Sequence, residues 1–145
     1  MSVRKNDRQE STMEFLYHMK KVHREMLAFL MRCPKRWDKF LTEDTAHVIT
    51  MALIHVKAGN SIYPTNQRER YDRREQFVKA LSNLQSAISL LDNLFDFANS
   101  SDNVTDFKVD PERIDRIMEY FKKEIRLIKG VMYKDTVRYK NLPDE

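Results

Sequence analysis

Arginine recurs at positions 68, 70, 73 and 74, just after a break marked by Gly59, Asn60 and Pro64. Arg68, Arg70, Arg73 and Arg74 would stand in the opening turns of a helix, where the backbone dipoles carry partial positive charge and favour acids. Glu69, Asp72 and Glu75 lie among them and could pair with them across one helical turn. Guanidinium groups make bidentate hydrogen bonds to phosphate or carboxylate and stack on flat rings. Tyr63 precedes the cluster and Tyr71 lies within it, and Tyr133 and Tyr139 lie among Lys134, Arg138 and Lys140. Such a set can hold an anion, either the phosphates and bases of a nucleic acid or an acidic protein surface. It offers no bond-breaking chemistry of its own.

Other chemistries lack their parts. A di-iron centre in a helical bundle needs two Glu-x-x-His pairs and two further Glu residues facing inward. Asp44-Thr45-Ala46-His47 is the one acid-x-x-His in the chain, and His18 has Glu14 four residues before it. Cys33 precedes Pro34 at a helix end with no base or oxyanion hole beside it, so it reads as a small buried hydrophobe. Neither a phosphate-cradling glycine loop nor a dinucleotide fingerprint occurs. Helix-turn-helix, zinc-finger and RNA-recognition signatures are absent as well. The expectation is a non-catalytic protein with no metal and no cofactor.

The charge has a place. The chain of 145 residues carries a net charge of +4, with +5 over residues 1–36, +4 over 111–140 and −3 over 76–110. A single cysteine allows no internal disulfide, which fits a reducing compartment. No apolar run approaches the roughly 18–20 residues of a membrane span. The basic start has no apolar stretch after it, so it does not read as a secretory signal. The expected location is the cytoplasm. The eight methionines scatter along the chain and read as core filler.

With two glycines in all, the chain reads as long helices with few connections. Residues 1–10 read as a flexible basic arm, and Ser11 with Glu14 as a capping box. The first helical segment then runs from Thr12 to Arg32, with Phe15, Met19, Val22, Met26, Phe29 and Leu30 on its apolar stripe. Pro34 ends it, and Trp37, Phe40 and Leu41 plug the end of the core. Thr42 caps the second segment, whose stripe is Ile49, Ala52, Leu53 and Val56. Gly59 and Asn60 terminate it, with its end anywhere between Gly59 and Ile62. The third segment starts at Thr65 or Asn66 and runs to Ala98, with Phe77, Leu81, Leu84, Ile88, Leu91, Phe95 and Ala98 inward. Asp110-Pro111-Glu112 opens the fourth, which continues to Tyr139 with Ile114, Ile117, Phe121, Ile125, Ile128 and Met132 inward. Residues 141–145 form a tail.

Four amphipathic segments on short links predict an all-α, up-down-up-down antiparallel four-helix bundle over residues 11–140. That topology sets the first and fourth helices side by side and merges their basic faces. The candidate binding residues are Arg68, Arg70, Arg73 and Arg74 with Lys20, Lys21, Arg24, Lys35, Arg36, Lys122, Lys123, Arg126, Lys129, Lys134 and Arg138. Phe95, Phe97, Phe107 and Val109 look like more apolar surface than one bundle can cover, which argues for an oligomer.

A resemblance rests on Cys33-Pro34-Lys35-Arg36, on Lys57-Ala58-Gly59-Asn60-Ser61-Ile62, and on Arg70 to Arg74 leading into Phe77-x-x-Ala80-x-x-x-Leu84. Over Phe15 to Tyr139 the chain resembles the four-helix-bundle family of the accessory variability determinant (Avd) of diversity-generating retroelements. Proteins encoded by intervening sequences in bacterial 23S ribosomal RNA belong to the same group. The ribosomal branch often reads Asn-Ile-x-Glu-Gly-x-x-Arg at the end of the second helix. Asn60-Ser61-Ile62-Tyr63-Pro64 stands here instead, which favours the retroelement branch. The resemblance implies a homopentameric, non-catalytic accessory protein that binds a reverse transcriptase and its template RNA, and cDNA with it, to support mutagenic cDNA synthesis. The alternatives are a protein-interaction module and a ribosomal-type bundle with another partner.

Overall fold

The computed structural model describes the backbone of residues 2–145 and the side chains from residue 13 onward. Four long helices account for most of the chain: α1 (Ser2–Met31), α2 (Glu43–Ser61), α3 (Gln67–Ala98) and α4 (Pro111–Arg138). Helix α1 packs on α2 and α4, and α3 packs on the same two, so the helices close into a four-membered ring in chain order. This is an all-α four-helix bundle, and the expected antiparallel order is the one observed.

The apolar stripes explain the packing. Phe15, Met19, Val22, Met26 and Phe29 on α1 are buried, as are Ile49, Ala52 and Val56 on α2 and Ile114, Ile117, Phe121 and Ile128 on α4. Helix α3 departs from expectation. Its buried seam is Arg73, Phe77, Ala80, Leu84, Ala87, Leu91, Leu94 and Ala98, a strict alternation of four- and three-residue steps. Leu81, Ile88 and Phe95 flank that seam and are only partly buried. Size misled the sequence reading here. The alanines face the neighbouring helix because small residues let two backbones come close.

Gly59 belongs to the same design. It lies inside α2, which runs on to Ser61, and its φ is not positive. A Cβ at Gly59 would stand 2.6 Å from Phe77 Cε1 and 2.9 Å from Cδ1. The glycine is therefore a point of close approach to α3 rather than the helix terminator it was expected to be.

The ends differ from the sequence reading in three more places. Helix α1 starts at Ser2, so it is continuous through Ser11, which is not the helix start. The side chains of the basic arm and of Ser11 lie outside the described residues. Thr42 has helical backbone angles and makes no cap bond; its hydroxyl donates to Asp38 Oδ1 at 2.8 Å, within a π-helical turn, Asp38–Thr42, that leads straight into α2. At this end Trp37 plugs the core edge-on to Phe97 and Phe107, with centroids 5.6 and 5.5 Å away. Phe40 stays 56% exposed. Val109 is buried, and Phe95, Phe97 and Phe107 pack against the core and are partly buried, so part of the apolar surface read as surplus is covered within the one chain. Asn103 shapes the α3–α4 loop by donating to Ala98 O at 2.7 Å and Phe107 O at 2.8 Å.

Gly59→Ala is expected to cost about 1–3 kcal/mol, because the new Cβ would press on the fully buried Phe77 ring. Chemical denaturation reads this as a lower midpoint at constant slope. An unchanged midpoint would show that the ring yields freely.

Candidate polyanion-binding surface

The α2–α3 turn and the end of α4 meet at one end of the bundle. Helix α3 is capped there by Asn66, whose side chain accepts from Glu69 N at 2.8 Å. The Glu69 carboxylate in turn accepts from Thr65 N at 2.9 Å and from the Thr65 hydroxyl, which hold its pKa below the usual range. Gln67 ties α3 to the chain's last residues. Its amide donates to Tyr139 O at 3.1 Å, Lys140 O at 3.2 Å and Leu142 O at 3.0 Å, while its backbone N–H donates to Pro143 O at 2.8 Å. The exposed carbonyls of the α4 end thereby gain partners.

Arg73 lies beneath this end with 6% of its surface exposed. Its Nε donates to Asp135 Oδ2 at 2.7 Å and its Nη2 to Oδ1 at 3.4 Å. Nη1 donates to Gly59 O and Ile62 O, both at 3.1 Å, and the guanidinium lies 5.0 Å from the Phe77 ring centroid. One side chain thus caps the end of α2, pairs with α4 and stacks on α3. Arg73 is a strut and not part of the outer surface.

The other arginines of the cluster remain outside. Arg68 and Arg74 are exposed and Arg70 is half-buried, with its Nη1 donating to Gln67 Oε1 at 2.9 Å. Pairing with Glu69, Asp72 and Glu75 does not occur among the described residues: Glu69 is taken up by Thr65 and Glu75 by Lys79, 3.4 Å away. Arg70, Tyr71 and Arg74 line one groove of about 260 Å³ with Met132, Asp135 and Thr136. A second cleft, of about 300 Å³, opens between α1, the end of α2 and α4. Arg126, Lys134 and Arg138 line it, and Asp135 belongs to both linings.

The structure divides the remaining candidates. Lys21 lies 4.8 Å from the Tyr120 ring centroid, and Lys123 pairs with Glu14 at 3.2 Å, so the basic faces of α1 and α4 do share one side. Lys122 pairs with Glu119 at 3.5 Å within α4. Arg24, Arg116 and Lys129 are exposed, and Lys20 is half-buried beside Tyr17. Lys35 and Arg36 are exposed in the short turn Lys35–Trp37, at the opposite end of the bundle from Arg68, Arg70 and Arg74.

The seam between α1 and α4 holds a pair the sequence reading missed. His18 Nδ1 and Glu124 Oε1 lie 3.2 Å apart, both buried, and Glu124 Oε2 has no hydrogen-bond partner among the described residues. The distance would suit an ion pair, but burial favours the uncharged form of each group. Burial, with Glu14 nearby, pushes the Glu124 carboxyl up to about 9. Burial, with Lys123 and Lys21 nearby, pulls the His18 imidazole down to about 4. A neutral acid and a neutral imidazole share the bond. Glu124 stands three residues after Phe121 and four before Ile128 on the inward stripe, and that register was the available signal.

Cys33 is buried, and burial raises its thiol to about 11, which leaves little thiolate at neutral pH. No three His, Cys, Asp or Glu side chains among the described residues come together as a metal site. No described helix is long and apolar enough to cross a membrane. Comparisons with family models, curated proteins and solved structures find no match to the chain.

The neutral pair makes stability depend on pH. Above the ordinary Glu value of 4.5 and up to about 9, folded Glu124 keeps a proton that the unfolded chain releases, so stability falls as pH rises. Between about 4 and 6.5, folded His18 lacks a proton that the unfolded chain binds, which has the opposite sign and cancels most of that fall. The pair's net loss is therefore expected between pH 6.5 and about 9, at roughly 1.4 kcal/mol per pH unit at most. Glu124→Gln should flatten that limb and exceed the parent chain in melting temperature at pH 8.5. Parallel profiles for the two proteins would mean that Glu124 ionises normally.

Proposed function

We propose that this bundle is a non-catalytic accessory protein that binds nucleic acid through the cations at the α2–α3 turn and along α4. The observation carrying this reading is the division of the arginine cluster. Arg73 is spent on the fold, while exposed Arg68 and Arg74 and half-buried Arg70 have no acidic partners among the described residues, and the groove that Arg70 and Arg74 line shares Asp135 with the cleft lined by Arg126, Lys134 and Arg138. A site that leaves guanidinium groups unneutralised beside exposed tyrosines is suited to phosphates and bases. Tyr63 and Tyr71 are 77% and 63% exposed.

The resemblance supplies the rest of the reading. A bundle of the Avd kind would work with the reverse transcriptase of a diversity-generating retroelement and its template RNA, in the cytoplasm, as a homopentamer. Basic outer faces on α1 and α4 would then repeat around the assembly. Light scattering on the purified protein distinguishes five copies from one.

Binding through phosphates releases counterions, so the logarithm of the RNA association constant should fall linearly with that of salt concentration. The slope should flatten by roughly 2 when Arg68, Arg70 and Arg74 are replaced together by alanine. Arg73 is left in place because its loss would disturb the fold. Salt-independent binding, or a slope unmoved by the triple replacement, would exclude these contacts. Retained affinity for the reverse transcriptase with no RNA binding would favour the protein-interaction reading.

A further inference from the structure

Gly130 is a glycine in the middle of a long helix, where it costs stability relative to alanine. The fold gives no reason for it. Its φ is not positive, and among the described residues nothing lies within 4 Å of where its Cβ would be. Gly59, by contrast, is held to glycine by Phe77. What distinguishes Gly130 is its place in the lining of the 300 Å³ cleft, four residues from Arg126 on one side and four from Lys134 on the other. Residues so spaced share a helix face at steps of about 6 Å. Arg138 continues the row. Met13, Phe15, Leu127 and Val131 give the cleft an apolar lining, and the one carboxylate among the described residues that line it, Asp135, is paired with Arg73. Tyr63 stands at the rim with its ring largely exposed.

From these features we infer that the cleft receives one nucleotide unit of a single-stranded nucleic acid, whose backbone passes directly over Gly130. The phosphates meet Arg126, Lys134 and Arg138, and a base stacks on Tyr63 above the apolar lining. The cations alone would accept any polyanion. The exposed ring, the apolar lining and the small volume select an unpaired base, since a paired one is stacked inside its duplex and presents no free face. The absent side chain at position 130 leaves room for the backbone. This inference rests on the nucleic-acid reading above and adds to it the strand type and the place.

The test uses fluorescence anisotropy with labelled oligonucleotides of about twelve units, a length within the range of known single-strand sites. RNA and DNA single strands and the corresponding duplexes are titrated into the full chain, Gly130→Leu and Tyr63→Ala. Gly130→Leu should keep or raise the melting temperature, because leucine is the better helix former and meets no neighbour. Both variants should bind single strands roughly fivefold or more weakly, as loss of one stacked base implies, with duplex binding unchanged. The RNA and DNA arms show which sugar the cleft prefers. Equal single-strand affinity in the parent chain and both folded variants overturns the cleft while leaving the broader reading intact. Equal losses for single strand and duplex overturn the strand selectivity. Displacement of the labelled strand by less polyglutamate than unlabelled oligonucleotide assigns the cleft to an acidic protein instead. No binding by the parent chain removes both readings. Should Gly130→Leu lose its fold, Tyr63→Ala decides, because its exposed turn position leaves the core untouched.

Discussion

The contact on which this bundle depends is the one Arg73 makes beneath its lower end. A guanidinium is costly to remove from water, and it is tolerated in an interior only when its donors and its charge are both matched. Here three of its nitrogens find oxygen partners on two other helices, and its flat face meets Phe77. The carbonyls at the end of α2 gain a cation where the helix dipole favours one. Asp135 gains a counter-charge and needs none from outside. The result is a fixed junction of α2, α3 and α4 in which the Arg73 and Asp135 charges are matched to each other.

That junction lets the surface above it stay charged. Because Asp135 is neutralised from within, it does not offset Arg126, Lys134 or Arg138 in the cleft it helps to line. The Gln67 amide fixes the chain's last turn against the first turn of α3, which sets the two cationic segments at a constant separation. Close packing of α2 on α3 at Gly59 and Phe77 holds the turn that carries Tyr63. Binding groups on a rigid frame lose less entropy when a ligand arrives. The neutral His18–Glu124 pair serves α1 and α4 differently. It places a polar group in the seam without a charge, at the expense of one unsatisfied oxygen.

The helices and their order were legible because long amphipathic periods dominate the sequence. The seam of α3 was not, since hydrophobic size is a poor guide where alanine is wanted for close approach. The role of Gly59 was hidden for the same reason: a glycine near a helix end looks like a stop, and only the facing ring reveals the contact. Among the arginines, sequence position supplied a cluster but no direction. Arg73 stands four residues before Phe77, in register with the buried seam, whereas Arg74 does not; Arg70, seven before Phe77, continues the same alternation and is half-buried, so the period of α3 alone could have set Arg74 apart but not Arg70. The partner of Arg73 lies far along the chain at Asp135, and no local pattern links the two. The cleft was equally hidden, because it joins residues of all four helices.

The side-chain Nε–H resonances of the arginines, followed by heteronuclear NMR during titration with single-stranded RNA, test the division of labour most directly. If Arg73 holds the fold and its neighbours hold the ligand, its resonance exchanges slowly with deuterated solvent and stays in place while those of Arg70, Arg74, Arg126 and Arg138 move. A resonance for Arg73 that exchanges as fast as the others, or shifts with them from the first addition of RNA, would contradict that division.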